Sequence, residues 1–298
     1  MTSKRVLSTV LVVTSACLLA LLLLAGSAWV WIQVRNQPAE KNQALFQGIH
    51  YVRDVRQSPR PLVVHIVTVK LRESGIEFLV TPGDPEAELP LQARATSSFL
   101  EEFDLQIAVN GDGVTPWRSN SWLDYYPHAG DPVDPIGLSA SRGVVYSPHR
   151  DAEPTLYLSR DNRARFNNPL GGVYNAISGN RMLVENGKSL VAAGVEDTPQ
   201  PRTAVALDKS RRQLIILVVD GRQPGYSEGA TLEELADLIL EFGGHSGMNM
   251  DGGGSSTLVM EGKNGKALIL NSPIDHNIPG NERTVGNHLG IFARQNDP

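Results

Sequence analysis

Three consecutive glycines, Gly252-Gly253-Gly254, stand between Asn249-Met250-Asp251 and Ser255-Ser256-Thr257. Glycine loses more conformational freedom on folding than any other residue, so a run of three marks a sharp turn or the close approach of another group. Upstream, Leu232, Leu235, Ala236, Leu238, Ile239 and Phe242 recur at helical spacing, with Thr231 and Glu234 as a capping box and Gly243-Gly244 as the stop. The spacing predicts a helix there. Residues 247–250 and 256–260 read as strands, which leaves the glycines as the loop between them. Such a loop gathers Asp251, backbone amides and two hydroxyls at a sheet edge, a nest suited to an oxyanion or a phosphate. A tight hairpin with Asp251 as a turn residue is the competing reading. No lysine follows the glycines, so the motif is not a P-loop.

At the other end, Lys4 and Arg5 precede an almost uncharged run from Val6 to Val34, with Trp29 and Trp31 near its close. The run exceeds the roughly 20 residues that a spanning helix needs, and the tryptophans stand where interfacial aromatics belong. We expect residues 1–36 to be an N-terminal transmembrane anchor. A secretory signal cleaved near Ala25-Gly26-Ser27-Ala28 is the alternative. Either reading exports the chain and places Gln37 onward on the extracytoplasmic side. Residues 37–60 then read as linker and lead-in, and 61–298 as one domain. Cys17 is the only cysteine and lies in the apolar run, so the exported part has no disulfide, thiolate nucleophile or cysteine metal site. A net charge of -5 offers no basic surplus for a nucleic-acid partner.

Within the domain, Val63, His65, Val67 and Val69 alternate, and residues 76–81 repeat the pattern after Glu73-Ser74-Gly75. This predicts a hairpin. Residues 91–103 read as a helix and 106–110 as a buried strand, ending in a second candidate rim at Asn110-Gly111-Asp112-Gly113. Between 114 and 168, Trp117, Trp122, Tyr125 and Tyr126 fit either a loop over a pocket or a satellite core. Further strands are expected at 143–147, 155–158, 172–177, 188–192, 202–208, 213–220 and 288–293. Many strands, two or three helices and no regular βαβ alternation give a single mixed α+β domain.

Arg202-Thr203-Ala204, Asp220-Gly221-Arg222, the Thr231 helix, Asp251 to Thr257 and Glu282-Arg283-Thr284-Val285-Gly286-Asn287 follow one another in that order. Together they resemble the phosphodiester glycosidase family over residues 63–293, most densely from Arg202 onward. One departure is Asp112, which stands where that family usually has the second glycine of Asn-Gly-Gly. The resemblance implies a hydrolase that cleaves the sugar C1–O bond of a sugar-1-phosphodiester in an envelope or extracellular glycan. The departing phosphate ester is a weak base, so charge stabilisation can carry more of the barrier than protonation does. On this reading Arg202 and Arg283 grip phosphate oxygens bidentately and the segment Gly252, Gly253, Gly254, Ser255 and Ser256 supplies further donors. Asn110 and Asn287 complete the expected substrate site. A carboxylate is wanted at the opposite face of the ring, either to attack C1 or to activate water. Asp251 is the leading candidate, with Asp220 and Glu282 in reserve.

Other readings stay open at this point. Arg202 could be a structural ion-pair partner of Asp251 or Asp220, and His245 and His288 are either acid–base groups or ordinary hydrogen-bonding residues. No cofactor is required. Asp112, Asp220, Asp251 and Asn249 offer hard oxygen ligands, so structural calcium is possible, yet no EF-hand or His-x-x-x-His spacing occurs. A non-catalytic phospho-sugar-binding module and a metal-dependent phosphodiesterase breaking P–O are the alternatives to the glycosidase.

Overall fold

The computed structural model describes residues 12–24, 26, 27, 35–121, 124–148, 153–169, 171–192, 194 and 197–296. Its architecture is strand-rich mixed α+β, organised by the strands Leu62–Lys70, Gln213–Val219, Arg202–Leu207 and Ser246–Asn249, which pair antiparallel inside an eight-stranded sheet. Alternation sends Val67, Val69, Val205, Ile216 and Val218 to one face, and Val64, Ile66, Ala204, Ile215 and Leu217 to the other. Both faces are covered. On the second lies the helix Leu232–Glu241, docked through Leu235, Ala236, Leu238 and Ile239, with the expected capping box at Thr231 and Glu234. Facing the first is a five-stranded sheet that contains Ile107–Asn110, Leu258–Glu261 and His288–Phe292. Val109, Leu258, Leu289 and Ile291 from this sheet share one core with the larger sheet. The helix Thr96–Glu102 closes its outer side through Phe99 and Leu100.

Several sequence expectations change here. The strands Leu62–Lys70 and Glu77–Val80 do not form a hairpin, because the first pairs with Ile49–Arg56 and Gln213–Val219 while the second pairs with His288–Phe292 in the other sheet. A strand buried on both faces needs a neighbour on each edge, and the turn at 70–76 carries the chain between layers. Residues 37–60, read as linker and lead-in, hold the strands Lys41–Phe46 and Ile49–Arg56, an antiparallel pair that extends the large sheet and buries Ile49 and Tyr51. The helix expected at 91–103 is shorter: Leu91–Gln92 pairs as a strand with Pro132–Pro135, and the helix starts only at Thr96.

Residues 12–24 are helical and exposed. No helix among the described residues is long and apolar enough to cross a membrane. Lys4, Arg5, Trp29, Trp31 and much of the apolar run lie outside them, as does Trp122.

Candidate active site

The glycine loop does not turn back along one sheet. Ser246–Asn249 belongs to the eight-stranded sheet and Leu258–Glu261 to the five-stranded one, so the loop bridges the two layers where several strands end. It is fixed to both. Met250 N–H donates to Thr203 O (2.8 Å), Gly253 N–H to Pro201 O (2.8 Å) and Asp251 N–H to Gly111 O (3.1 Å). Asn110, fully buried, braces the junction: its amide donates to Asp251 O (2.8 Å), and its carbonyl accepts from the Thr203 hydroxyl (2.8 Å) and Thr257 N–H (3.2 Å).

Over this loop lies an open cavity of about 450 Å³, lined by Arg202, Arg222, Arg283, Asp251 and Gly252-Gly253, with Trp117, Tyr125, Asn180, Gln200 and Asn249 completing it. Its three arginines are each held back through Nε. Arg202 Nε donates to Ala230 O (3.0 Å), Arg222 Nε to Gln200 Oε1 (2.7 Å) and Arg283 Nε to Asp275 Oδ1 (2.7 Å). Arg202 is also paired through Nη2 with Asp197 (2.7 Å), a different carboxylate from those expected. Among the described residues, Arg222 has no carboxylate within ion-pair distance, and the Nη groups of Arg222 and Arg283 make no hydrogen bond to the protein. Burial, followed by the charges of Arg283 and Arg202, pushes the Arg222 guanidinium below its ordinary pKa. Three like charges on one wall disfavour one another, and an anion relieves them.

The glycines serve these arginines. Gly253 adopts a left-handed φ of 62°, and a Cβ there would lie 3.0 Å from Arg222 Nη2. A Cβ on Gly254 would lie 2.6 Å from Arg283 Cζ, so only glycine lets that guanidinium rest on the loop. The loop amides, in contrast, are mostly occupied: Gly252 N–H donates to Asp251 Oδ1 (2.9 Å), Ser255 N–H to Gly252 O (3.2 Å) and Ser256 N–H to Gly253 O (3.3 Å). The expected amide nest is therefore used up in shaping the turn, and the positive wall of the cavity is made of guanidinium groups.

Asp251, in the same lining, is partly buried. Burial pushes its carboxyl pKa up, against the downward pull of Ser255, Arg283 and the Gly252 amide. The aromatic side of the cavity comes from residues 114–126: Trp117 stacks on Tyr125 (5.8 Å between rings), Tyr125 lies flat on His276 (4.5 Å, 2°), and Arg283 sits 5.7 Å from the Tyr125 ring. Tyr126 instead packs against the satellite cluster of Leu91, Val133 and Tyr146. Both readings of this aromatic segment thus hold, for different residues.

A family model for phosphodiester glycosidase matches residues 103–292. The chain belongs to the phosphodiester glycosidase family. It is similar to the N-acetylglucosamine-1-phosphodiester alpha-N-acetylglucosaminidase of Bos taurus, at 31% identity over 138 residues, covering 41% of this chain and 24% of that relative. The chain thus corresponds to a minor part of the relative's length. Among solved structures, the zebrafish N-acetylglucosamine-1-phosphodiester alpha-N-acetylglucosaminidase catalytic domain, auto-inhibited by its pro-peptide, aligns with a TM-score of 0.58 at 21% identity, covering 88% of this chain and 86% of that one. A hypothetical protein from Synechocystis aligns at 0.57 and 15% identity, covering 86% and 64%. Both likenesses show the fold.

In this phosphodiester glycosidase fold the other candidates fall outside the arginine cavity. Asp220 is buried and receives four donors: Ser272 N–H (2.8 Å), His65 Nε2 (3.0 Å), Asn271 Nδ2 (3.1 Å) and the Tyr226 hydroxyl (3.3 Å). Glu282 accepts from Ser97 N–H (3.0 Å) in the first turn of the Thr96–Glu102 helix and lines a neighbouring cavity. Asn287 is buried, its side-chain amide donating to Ser139 Oγ (3.0 Å) and its backbone carbonyl accepting from Gly111 N–H (2.7 Å). Ser255 and Ser256 are also buried under the loop. His288 is sealed against Phe99, and burial drives its pKa down to about 3, which removes it as an acid–base group near neutrality. His245 lines another cavity, not that of the arginines.

Asp112 is buried and held by Gly113 N–H (2.7 Å) and Gly137 N–H (2.8 Å). Burial above all, with the charges of Glu153 and Asp251, raises its pKa to about 7. Among the described residues no group of three His, Cys, Asp or Glu is placed to hold a metal ion. Asp220, one of the oxygen ligands considered for calcium, already has its lone pairs engaged by protein donors. Sequence reasoning missed Asn180, Gln200 and the role of Arg222. Arg222 stood in the quoted Asp-Gly-Arg motif, whereas Asn180 and Gln200 carry no signal beyond their turns.

Proposed function

We propose that this chain hydrolyses a sugar-1-phosphodiester at the anomeric C–O bond, with Arg202, Arg222 and Arg283 holding the phosphate and Asp251 acting at C1. The observation that carries the reading is the lining of one cavity by three Nε-tethered guanidinium groups together with a single partly buried carboxylate. As the C1–O bond lengthens, negative charge grows on the departing phosphate ester, and pre-placed guanidinium groups stabilise that charge without reorganising. The carboxylate of Asp251 either attacks C1 or takes a proton from the attacking water, whose oxygen ends on the sugar. Trp117, half exposed and backed by Tyr125, offers an aromatic face against which the sugar ring can lie. The activity for which the Bos taurus relative is named makes N-acetylglucosamine the first sugar to test. The apolar run behind Lys4 and Arg5 supports an extracytoplasmic workplace and an envelope or extracellular glycan as substrate.

The test combines turnover with isotope placement. Wild-type protein in ¹⁸O-water should put label on C1 of the released sugar and none on the phosphate ester. Asp251→Asn should lose at least about 10²-fold in turnover while binding the sugar phosphate nearly as before. Label on phosphate would show a phosphodiesterase, and binding without any wild-type turnover would show a non-catalytic module.

A further inference from the structure

The arginine cavity is not isolated. Asn180 forms part of its wall and also part of a second open cavity of about 590 Å³, which in turn shares Asn167 and Met182 with a third of about 290 Å³. On its other side, Trp117, Tyr125 and Arg283 are shared with a cavity of about 230 Å³. Through these shared residues the four compartments adjoin in series, a segmented groove in which the arginine cavity has a neighbour at each end. We propose that this groove binds saccharide units flanking the scissile phosphodiester, so that the substrate is an oligosaccharide chain interrupted by a phosphodiester and not a single sugar-1-phosphodiester. The proposal rests on the phosphate reading of the arginine cavity.

Three observations support it. First, the junction is built. Asn180 is tied to Asn249, two residues before Asp251, by its N–H to Asn249 O (3.0 Å) and by Asn249 Nδ2 to its Oδ1 (2.9 Å). A Cβ on Gly179 would overlap the Asn249 carbonyl, so the turn is pressed onto the strand end that carries the site. Second, the space exceeds the need. Pockets of roughly 300–1,000 Å³ enclose ligands of drug size, so the arginine cavity takes a sugar phosphate by itself and the 590 Å³ neighbour is left for more substrate. Third, the chemistry suits sugars. Beyond Asn180 the groove presents Tyr157, Asn167 and Arg181 beside Met182 and Pro154, alternating hydrogen-bonding groups for hydroxyls with flat or apolar surface for C–H faces. The chain's net charge of -5 disfavours a nucleic acid in the same groove.

The experiment compares a methyl sugar-1-phosphodiester with the same linkage extended by two sugars on each side. Wild type should show at least about tenfold higher kcat/KM on the extended substrate, the equivalent of one good contact. Tyr157→Ala and Arg181→Ala, neither of which touches the phosphate cavity, should raise KM for the extended substrate and leave the methyl substrate unchanged. Exposed Arg181 guards against a folding artefact at Tyr157. Equal kcat/KM for the two substrates in wild type, or equal effects of the variants on both, would overturn the proposal. Should neither substrate turn over, the glycosidase reading fails, and the groove is judged by binding of non-hydrolysable analogues: equal affinity for the short and extended forms would overturn it.

Discussion

Gly254→Ala adds a single methyl group at a position where the backbone needs no left-handed conformation, so its effect falls on what the methyl meets. That group is the Arg283 guanidinium, whose Cζ would lie 2.6 Å from the new Cβ when ordinary contact begins near 3.4 Å. The side chain must retreat by close to 1 Å. It cannot do so freely, because Nε is tied to Asp275 (2.7 Å) and the Tyr125 ring lies 5.7 Å from the guanidinium. A displacement of about 1 Å at a charge-stabilising group costs about 10²-fold in rate, and we expect that loss in kcat/KM on a sugar-1-phosphodiester, with the melting temperature nearly unchanged. Arg283→Ala alone and the double variant complete a cycle. If the methyl acts through Arg283, adding Gly254→Ala to Arg283→Ala should change little, within about 0.5 kcal/mol. Full activity in Gly254→Ala would refute the placement of Arg283 on the phosphate, and additive losses would show that the glycine matters for another reason.

Asp112→Asn tests the raised carboxyl. Because the folded-state pKa of about 7 exceeds the unfolded value, the folded chain holds a proton that the unfolded chain releases, and this contribution to stability is lost as pH rises through about 7. Urea unfolding at pH 5 and pH 8 should show wild type losing stability relative to Asp112→Asn, on the order of a few kcal/mol, since the opposite contribution of buried His288 is common to both proteins; parallel profiles would contradict the assignment. Asp220→Ala should cost about 3–5 kcal/mol by orphaning buried donors, lowering the melting temperature while the folded fraction keeps its turnover. Lost turnover at unchanged stability would instead return Asp220 to the chemistry.

What was legible in the sequence was whatever depends on local spacing. The capping box at Thr231, the apolar stripe of its helix and the buried strand before Asn110 follow from neighbours within a few residues. Pairing does not: alternation in residues 62–70 says that both faces are buried but not which strand lies alongside, and hence the false hairpin. The carboxylates show the same limit. Asp251, Asp220 and Glu282 are chemically alike in a string of letters, and only their donors distinguish a group facing a cavity from one saturated by four hydrogen bonds or one capping a helix. The glycines were read as a source of free amides, when their use is to leave room for Arg222 and Arg283. A missing side chain and an available N–H have the same signature in sequence.

The tethering of each arginine by its own Nε has a consequence for how a ligand is received. An unanchored arginine carries about 2 kcal/mol of rotamer freedom, which a ligand would have to quench on arrival. Here folding has already quenched it, and the mutual repulsion of the three cations has been locked in at the same time. The three cations are therefore held together by the fold against their own repulsion. On the proposed reading, a phosphate meets partners already fixed in place and offsets a repulsion set by the fold, so recognition and relaxation of the protein are one event.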